Sequence, residues 1–121
     1  MKELIIIKNS IAGGGNKEFQ WYPGYDSANT FVSSGNLHIK PTLTADIFDE
    51  TFLTTGRVVI PSNQCSASYN NGCDRQGNST FIINPIRSTR MDTRKTFGFK
   101  YGTLEIRAKM PVGDWSWPAL W

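Results

Sequence analysis

Apolar and polar residues alternate with a period of two through much of the chain, and the helical period of 3.6 is almost missing. In "GNLHIKP", Leu37 and Ile39 share one face while Asn36, His38 and Lys40 share the other. In "FGFKYGTLEIRAKMP", Phe97, Phe99 and Tyr101 share a face. Past Gly102, Leu104, Ile106, Ala108 and Met110 line up opposite Thr103, Glu105, Arg107 and Lys109. Such alternation predicts half-buried strands of an antiparallel sheet. "TGRVVIP" and "TFIINPI" predict two more strands, "STRMDT" the start of another, and "MKELIIIKNS" one at the amino end. Between them stand "AGGGN", "YPGYD", "SSGN", "NNGCDRQGN" and "VGD", the chemistry of turns. Turns at this spacing predict an all-β sandwich or jelly roll. No repeat, linker or long helix interrupts the pattern.

Composition agrees with a folded chain. Of 121 residues, 39% are apolar and 19% charged, which excludes a disordered polymer. Net charge is only +3, but Arg87, Arg90, Arg94, Lys95, Lys100, Arg107 and Lys109 fall close together against Asp92 and Glu105. A basic cluster of this kind suits nucleic acid, yet no nucleic-acid motif accompanies it. Solvated strand faces account for it. The apolar run at the amino end is shorter than the roughly 7–15 residues of a signal peptide's core, and no stretch is long enough to span a membrane.

The usual constellations of catalysis and metal binding are missing. With Cys65, Cys73 and His38 as the only cysteines and histidine, four zinc ligands of those types cannot be assembled. Asp49 and Glu50 are adjacent, so on a strand they would face opposite ways. Asp46, Asp49 and Glu50 lack the alternation and the glycine of a calcium loop. The glycines at 13–15 are not followed by the Gly-Lys-Ser/Thr of a phosphate loop. No metal or cofactor site is expected. Cys65 and Cys73 fit either a disulfide across a short loop or two free thiols. The disulfide implies an oxidising compartment, and because the loop is local, breaking it is expected to leave the sheet intact. Asn78, Ser79 and Thr80 form an N-glycosylation sequon that suits the same compartment.

Three of the four tryptophans crowd into "GDWSWPALW" at residues 113–121. Such a cluster is either part of a core or the lining of a binding surface. The blocks around it resemble glycoside hydrolase family 16, in the branch of endo-β-1,3-glucanases (laminarinases) and invertebrate β-1,3-glucan-binding proteins. The matching residues are Phe99, Tyr101 and Gly102; Glu105, Arg107, Ala108, Lys109 and Pro111; and Trp117, Pro118, Ala119 and Trp121. "GGGNxEFQ" at 13–20, "LxIKPTLT" at 37–44 and "NPIRSxR" at 84–90 resemble further blocks of the glucan-binding branch, which also has two cysteines bracketing a Gly/Asn-rich loop.

The resemblance implies a β-jelly roll of two antiparallel sheets whose concave face holds a glucan. It implies that 12–121 form the amino-terminal half of the domain, cut before the catalytic strand, and that 1–11 are a strand outside the matched pattern. The family's Glu-x-Asp-x-x-Glu is absent from the chain, so no catalytic residue is expected here and the chain alone should be inactive. Its partner is a β-1,3-glucan polysaccharide, with no nucleic acid, membrane or obligate protein partner, and its location is extracellular. The implied substrate-binding residues are Asn29, Arg90, Trp117 and Trp121. An indole can stack on the C–H face of a pyranose, while an amide and a guanidinium can bond sugar hydroxyls. For the parent domain two readings follow, retaining β-1,3-glucan hydrolysis or non-catalytic glucan recognition in invertebrate immunity.

Overall fold

The computed structural model describes residues 5–121; the first four residues of the expected amino-terminal strand lie outside that range. The described chain is all-β, with short strands, several antiparallel ladders and a single helical turn of α type. Strand β1 (Ile6–Ile7) pairs antiparallel with β10 (Met91–Asp92), and β4 (Thr30–Ser33) with β5 (Asn36–Ile39). Strand β7 (Arg57–Val59) pairs antiparallel with β8 (Asp74–Gln76). A four-stranded sheet runs in the order β2 (Asn9–Ser10), β3 (Gln20–Pro23), β9 (Ile86–Arg87), β6 (Thr42–Leu43). Its central pair, β3 and β9, is parallel, which the alternation did not foretell.

Local chemistry fixes the turns. The β4–β5 hairpin closes through Ser34 and Gly35, both at positive φ (49° and 74°), whose backbone twist matches that of the flanking strands. The glycines before β3 are needed for a different reason. Gly13 has φ 65°, and a Cβ there would lie 2.6 Å from the Glu18 carbonyl oxygen, so the bend into β3 has no room for a side chain. Asp49 and Glu50 are not on a strand. Asp49 Oδ1 accepts the Phe52 N–H at 2.8 Å and caps the single turn α1 (Thr51–Thr55).

The core is small. Ile11, Trp21, Val58, Ile60 and Ile83 are buried together, with Phe52, Leu53 and Cys65 packed on them. Backbone bonds draw the core residues from distant parts of the chain. Ile11 N–H donates to Gly72 O at 2.9 Å, Ile60 N–H to Cys73 O at 2.7 Å, and Ile83 N–H to Leu53 O at 2.7 Å. Within "TFIINPI" only Ile86 joins a ladder; Phe81 and Ile82 are exposed, while Ile83 turns inward.

Residues 97–110 depart furthest from their pattern. Phe97, Phe99, Tyr101, Leu104, Ile106 and Met110 are all exposed, and residues 98–121 belong to no ladder. A strand is stable only when a neighbour takes its N–H and C=O groups and something covers its apolar face. Among the described residues neither is provided here. The same holds in part for the β4–β5 hairpin, where Val32, Leu37 and Ile39 remain exposed.

Cys65 and Cys73 form a disulfide, with Cα atoms 5.7 Å apart. The loop it closes is not peripheral, contrary to its sequence reading. Asn9 N–H donates to Ser66 Oγ at 3.0 Å, Ser66 N–H to Asn9 O at 2.9 Å, and the Cys73 and Gly72 carbonyls hold Ile60 and Ile11. The bridge therefore braces the core.

Two outcomes follow. In hydrogen exchange, the amides of Ile11, Ile60 and Ile83 will be the slowest, and those of 98–121 in this chain will exchange at nearly unprotected rates; uniform protection would contradict this. Reduction of the disulfide, or Cys65→Ser with Cys73→Ser, will lower unfolding free energy by about 2.5 kcal/mol through the entropy of the closed loop. Urea denaturation with and without reductant measures it.

Candidate functional site

Strand β3 organises both sides of the four-stranded sheet. Its Gln20 and Tyr22, with Glu18 just ahead of the strand, form a half-exposed polar row: Gln20 Nε2 donates to Glu18 Oε2 and to Tyr22 Oη, each at 2.9 Å. Asn16 extends the row, donating to Glu18 Oε1 at 3.0 Å. On the other face Trp21 enters the core and lines an open cleft of about 360 Å³. Phe48 and Phe52 continue its aromatic wall, with ring centroids 6.2 Å from Trp21 to Phe48 and 4.3 Å from Phe48 to Phe52. Pro23, Val58, Ile60 and Pro61 add apolar surface, while Asn9, Gln64 and Arg57 supply the polar groups. An apolar floor with a few donors and acceptors is a make-up shared with small-ligand clefts, and this one is wide open to solvent.

Arg57 is oriented by Asp74, which accepts from Nε at 2.8 Å and from Nη2 at 2.7 Å. That pairing raises the guanidinium's pKa and lowers the carboxyl's, so both stay charged. The arrangement has no paired carboxylate facing a nucleophile, and no cluster of His, Cys, Asp and Glu among the described residues could hold a metal ion.

Behind the cleft lies a buried polar clasp. Arg87 rests over the Trp21 indole, 5.3 Å from the ring centroid, and its Nη2 donates to Asp26 Oδ2 at 2.6 Å. Its place in the basic cluster suggested a solvated strand face, but this arginine is buried. The Ala28 N–H, bound to Asp26 Oδ1, holds the Asp26 carboxyl below its ordinary pKa, and Arg87 adds to the effect against the cost of burial. The folded pKa is depressed, so the clasp's stabilisation is complete above the ordinary carboxylate range and fades as pH falls through the folded value.

The four residues implied by resemblance do not converge. Asn29, expected on a ligand-facing surface, is completely buried. Its Nδ2 donates to Lys40 O at 2.8 Å, Thr42 Oγ1 at 3.0 Å and Arg87 O at 3.3 Å, because this amide ties the β4 entry to β6 and β9. Arg90 is half-buried just before β10, where its carbonyl accepts the Lys8 N–H at 2.8 Å. Trp117 and Trp121 are 84% and 99% exposed, on the segment that joins no ladder. They are free to meet a ligand but are not organised around one. Sequence reasoning missed Glu18, Gln20 and Tyr22, although their period-two spacing across "EFQWY" at 18–22 carried the signal. Trp21 alternates with them. Nothing local marked Phe48 or Phe52 as its neighbours.

The chain matches no protein-family model and no solved structure. Among curated proteins it is 43% identical, over 93% of its length, to a β-1,3-glucan-binding protein of Penaeus monodon. It is 36% identical over 78% of its length to β-1,3-glucan-binding protein 1 of Manduca sexta. It is 36% identical over 76% to Gram-negative bacteria-binding protein 2 of Drosophila melanogaster. The chain spans about a third of the first relative's length (32%) and about a fifth of the other two (19% each). Its relatives are thus invertebrate proteins named for binding, and the hydrolytic reading gains no support from them.

Lowering pH from about 5 to about 3 will destabilise the chain, and Asp26→Asn will flatten the part of that slope owed to the clasp. The substitution will cost about 1–2 kcal/mol at neutral pH, because Arg87 loses the charge of a carboxylate that is itself a quarter exposed. Asp92, whose pKa is lowered mainly by Lys8, titrates in the same direction, so the difference between parent and variant is the quantity to measure by denaturation at each pH.

Proposed function

We propose that this chain contributes to β-1,3-glucan recognition without cleavage, within a longer protein of the kind that serves invertebrate innate immunity. In this reading residues 12–121 are the amino-terminal half of a jelly-roll domain of the glycoside hydrolase family 16 type. The protein is secreted, consistent with the Cys65–Cys73 bridge. The observation that carries the reading is the 43% identity to the Penaeus monodon glucan-binding protein across nearly the whole chain.

The surface chemistry supports it. Indoles at Trp117 and Trp121 offer π faces for the C–H groups of a pyranose. The aromatic wall of the cleft offers a second apolar surface, rimmed by the Asn9 and Gln64 amides that can exchange hydrogen bonds with hydroxyls.

The chain will be retained on insoluble β-1,3-glucan and will release no reducing sugar from laminarin. Trp117→Ala and Trp121→Ala will each weaken laminarin binding about five- to tenfold, about 1 kcal/mol per lost ring contact. Phe48→Ala tests the cleft separately: weakened binding assigns it a sugar, and unchanged binding leaves the tryptophans as the contact. Calorimetry reads all three. Failure of the folded parent to bind, or release of reducing sugar, would overturn the proposal.

A further inference from the structure

The sequon at Asn78 is absorbed neither by the cleft nor by the tryptophans, and the fold treats it unusually well. Asn78, Ser79 and Thr80 are the only Asn-x-Ser/Thr triplet in the chain with a residue other than proline in the middle. They occupy the tip of an outward turn between β8 and the core residue Ile83. Both ends of the turn are clamped. Gly77 N–H donates to Gly56 O at 2.8 Å, and Ile83 N–H to Leu53 O at 2.7 Å. The Gln76 amide adds bonds to Thr55 O at 2.9 Å and Gly56 O at 3.0 Å. Residues 78–82 are exposed throughout, and Phe81 is 70% accessible.

The carboxamide of Asn78 is oriented by its own turn. Its Oδ1 accepts the N–H groups of Thr80 and Phe81, both at 2.9 Å, while Asn78 N–H donates to Phe81 O at 3.0 Å. Two donors converging on one end of the amide require that end to be oxygen, so nitrogen points away. Among the described residues Nδ2 makes no hydrogen bond. A substituent on that nitrogen displaces no contact of the fold.

We propose that Asn78 is N-glycosylated. Two independent observations meet here: the outward, unengaged Nδ2 on a clamped turn, and a disulfide that forms in the oxidising compartment where such transfer occurs. The co-reactant is an oligosaccharide carried on a lipid pyrophosphate. Asn78 Nδ2 bonds to the anomeric carbon of the first sugar, the bond from that carbon to the pyrophosphate oxygen breaks, and lipid pyrophosphate leaves with the electron pair. The nitrogen gives up one proton. The attached glycan then lies beside Phe81 and Ile82 and shields apolar surface that is otherwise open to water.

The test is to express the full chain behind a secretion signal in insect cells and analyse both lysate and medium, since transfer precedes export. The Asn78 peptide is expected to carry hexosamine-based glycan, and peptide N-glycosidase should shift the protein to one lower mass while converting Asn78 to Asp. Thr80→Ala, which keeps every bond made by the Asn78 side chain, should abolish the shift; Thr80→Ser should retain it. Asn78→Gln should also abolish it but disturbs the turn, so Thr80→Ala is the deciding variant. An unmodified Asn78 peptide in protein with an intact Cys65–Cys73 bridge would overturn the proposal, as would a glycan that survives Thr80→Ala. Neither result touches glucan binding, which is read independently.

Discussion

The parallel pairing of β3 with β9 is the constraint on which the remaining structure depends. Two backbone segments more than sixty residues apart are held in register, and side chains fasten both ends. Asn84 Nδ2 donates to Glu18 O at 3.0 Å and to Gln20 O at 2.8 Å. Arg87 lies on Trp21 and reaches Asp26. A parallel ladder has no tight turn to close it, so these polar clasps stand where a hairpin would otherwise set the register. The polar row of β3, the aromatic cleft and the buried Asn29 are all positioned by that join.

The alternating pattern foretold strands where they could find partners. Residues 36–39, 57–59 and 91–92 pair as their sequence suggests, and the Ser-Gly turn sets the hairpin register. Residues 97–110 have the clearest alternation in the chain and no ladder, because periodicity describes which faces a strand would present and says nothing of what lies alongside. The buried polar network was hidden for a related reason. Arg87 and Asp26 are separated by sixty-one positions, and a charged residue in a basic run carries no local sign that it will be covered.

The site was less legible than the fold. Resemblance pointed to individual residues, and the fold scattered them: Asn29 inward, Arg90 to the β10 entry, the tryptophans outward. The most organised surface came from β3 and the residues leading into it, where Glu18, Gln20 and Tyr22 are divided from Trp21. A cleft built from residues 9, 21, 48, 52, 57 and 64 has no contiguous signature, since four separate segments supply its walls.

The unladdered stretch from 97 to 110 has a consequence for the molecule. Past Phe97, whose amide bonds the Thr93 carbonyl, its backbone groups stand unpaired in any ladder, as those of a sheet edge do. Alternation selects which side faces inward but leaves direction and offset unspecified. Its alternation is thus a face without a partner: water meets the apolar side that a strand's neighbours would otherwise cover.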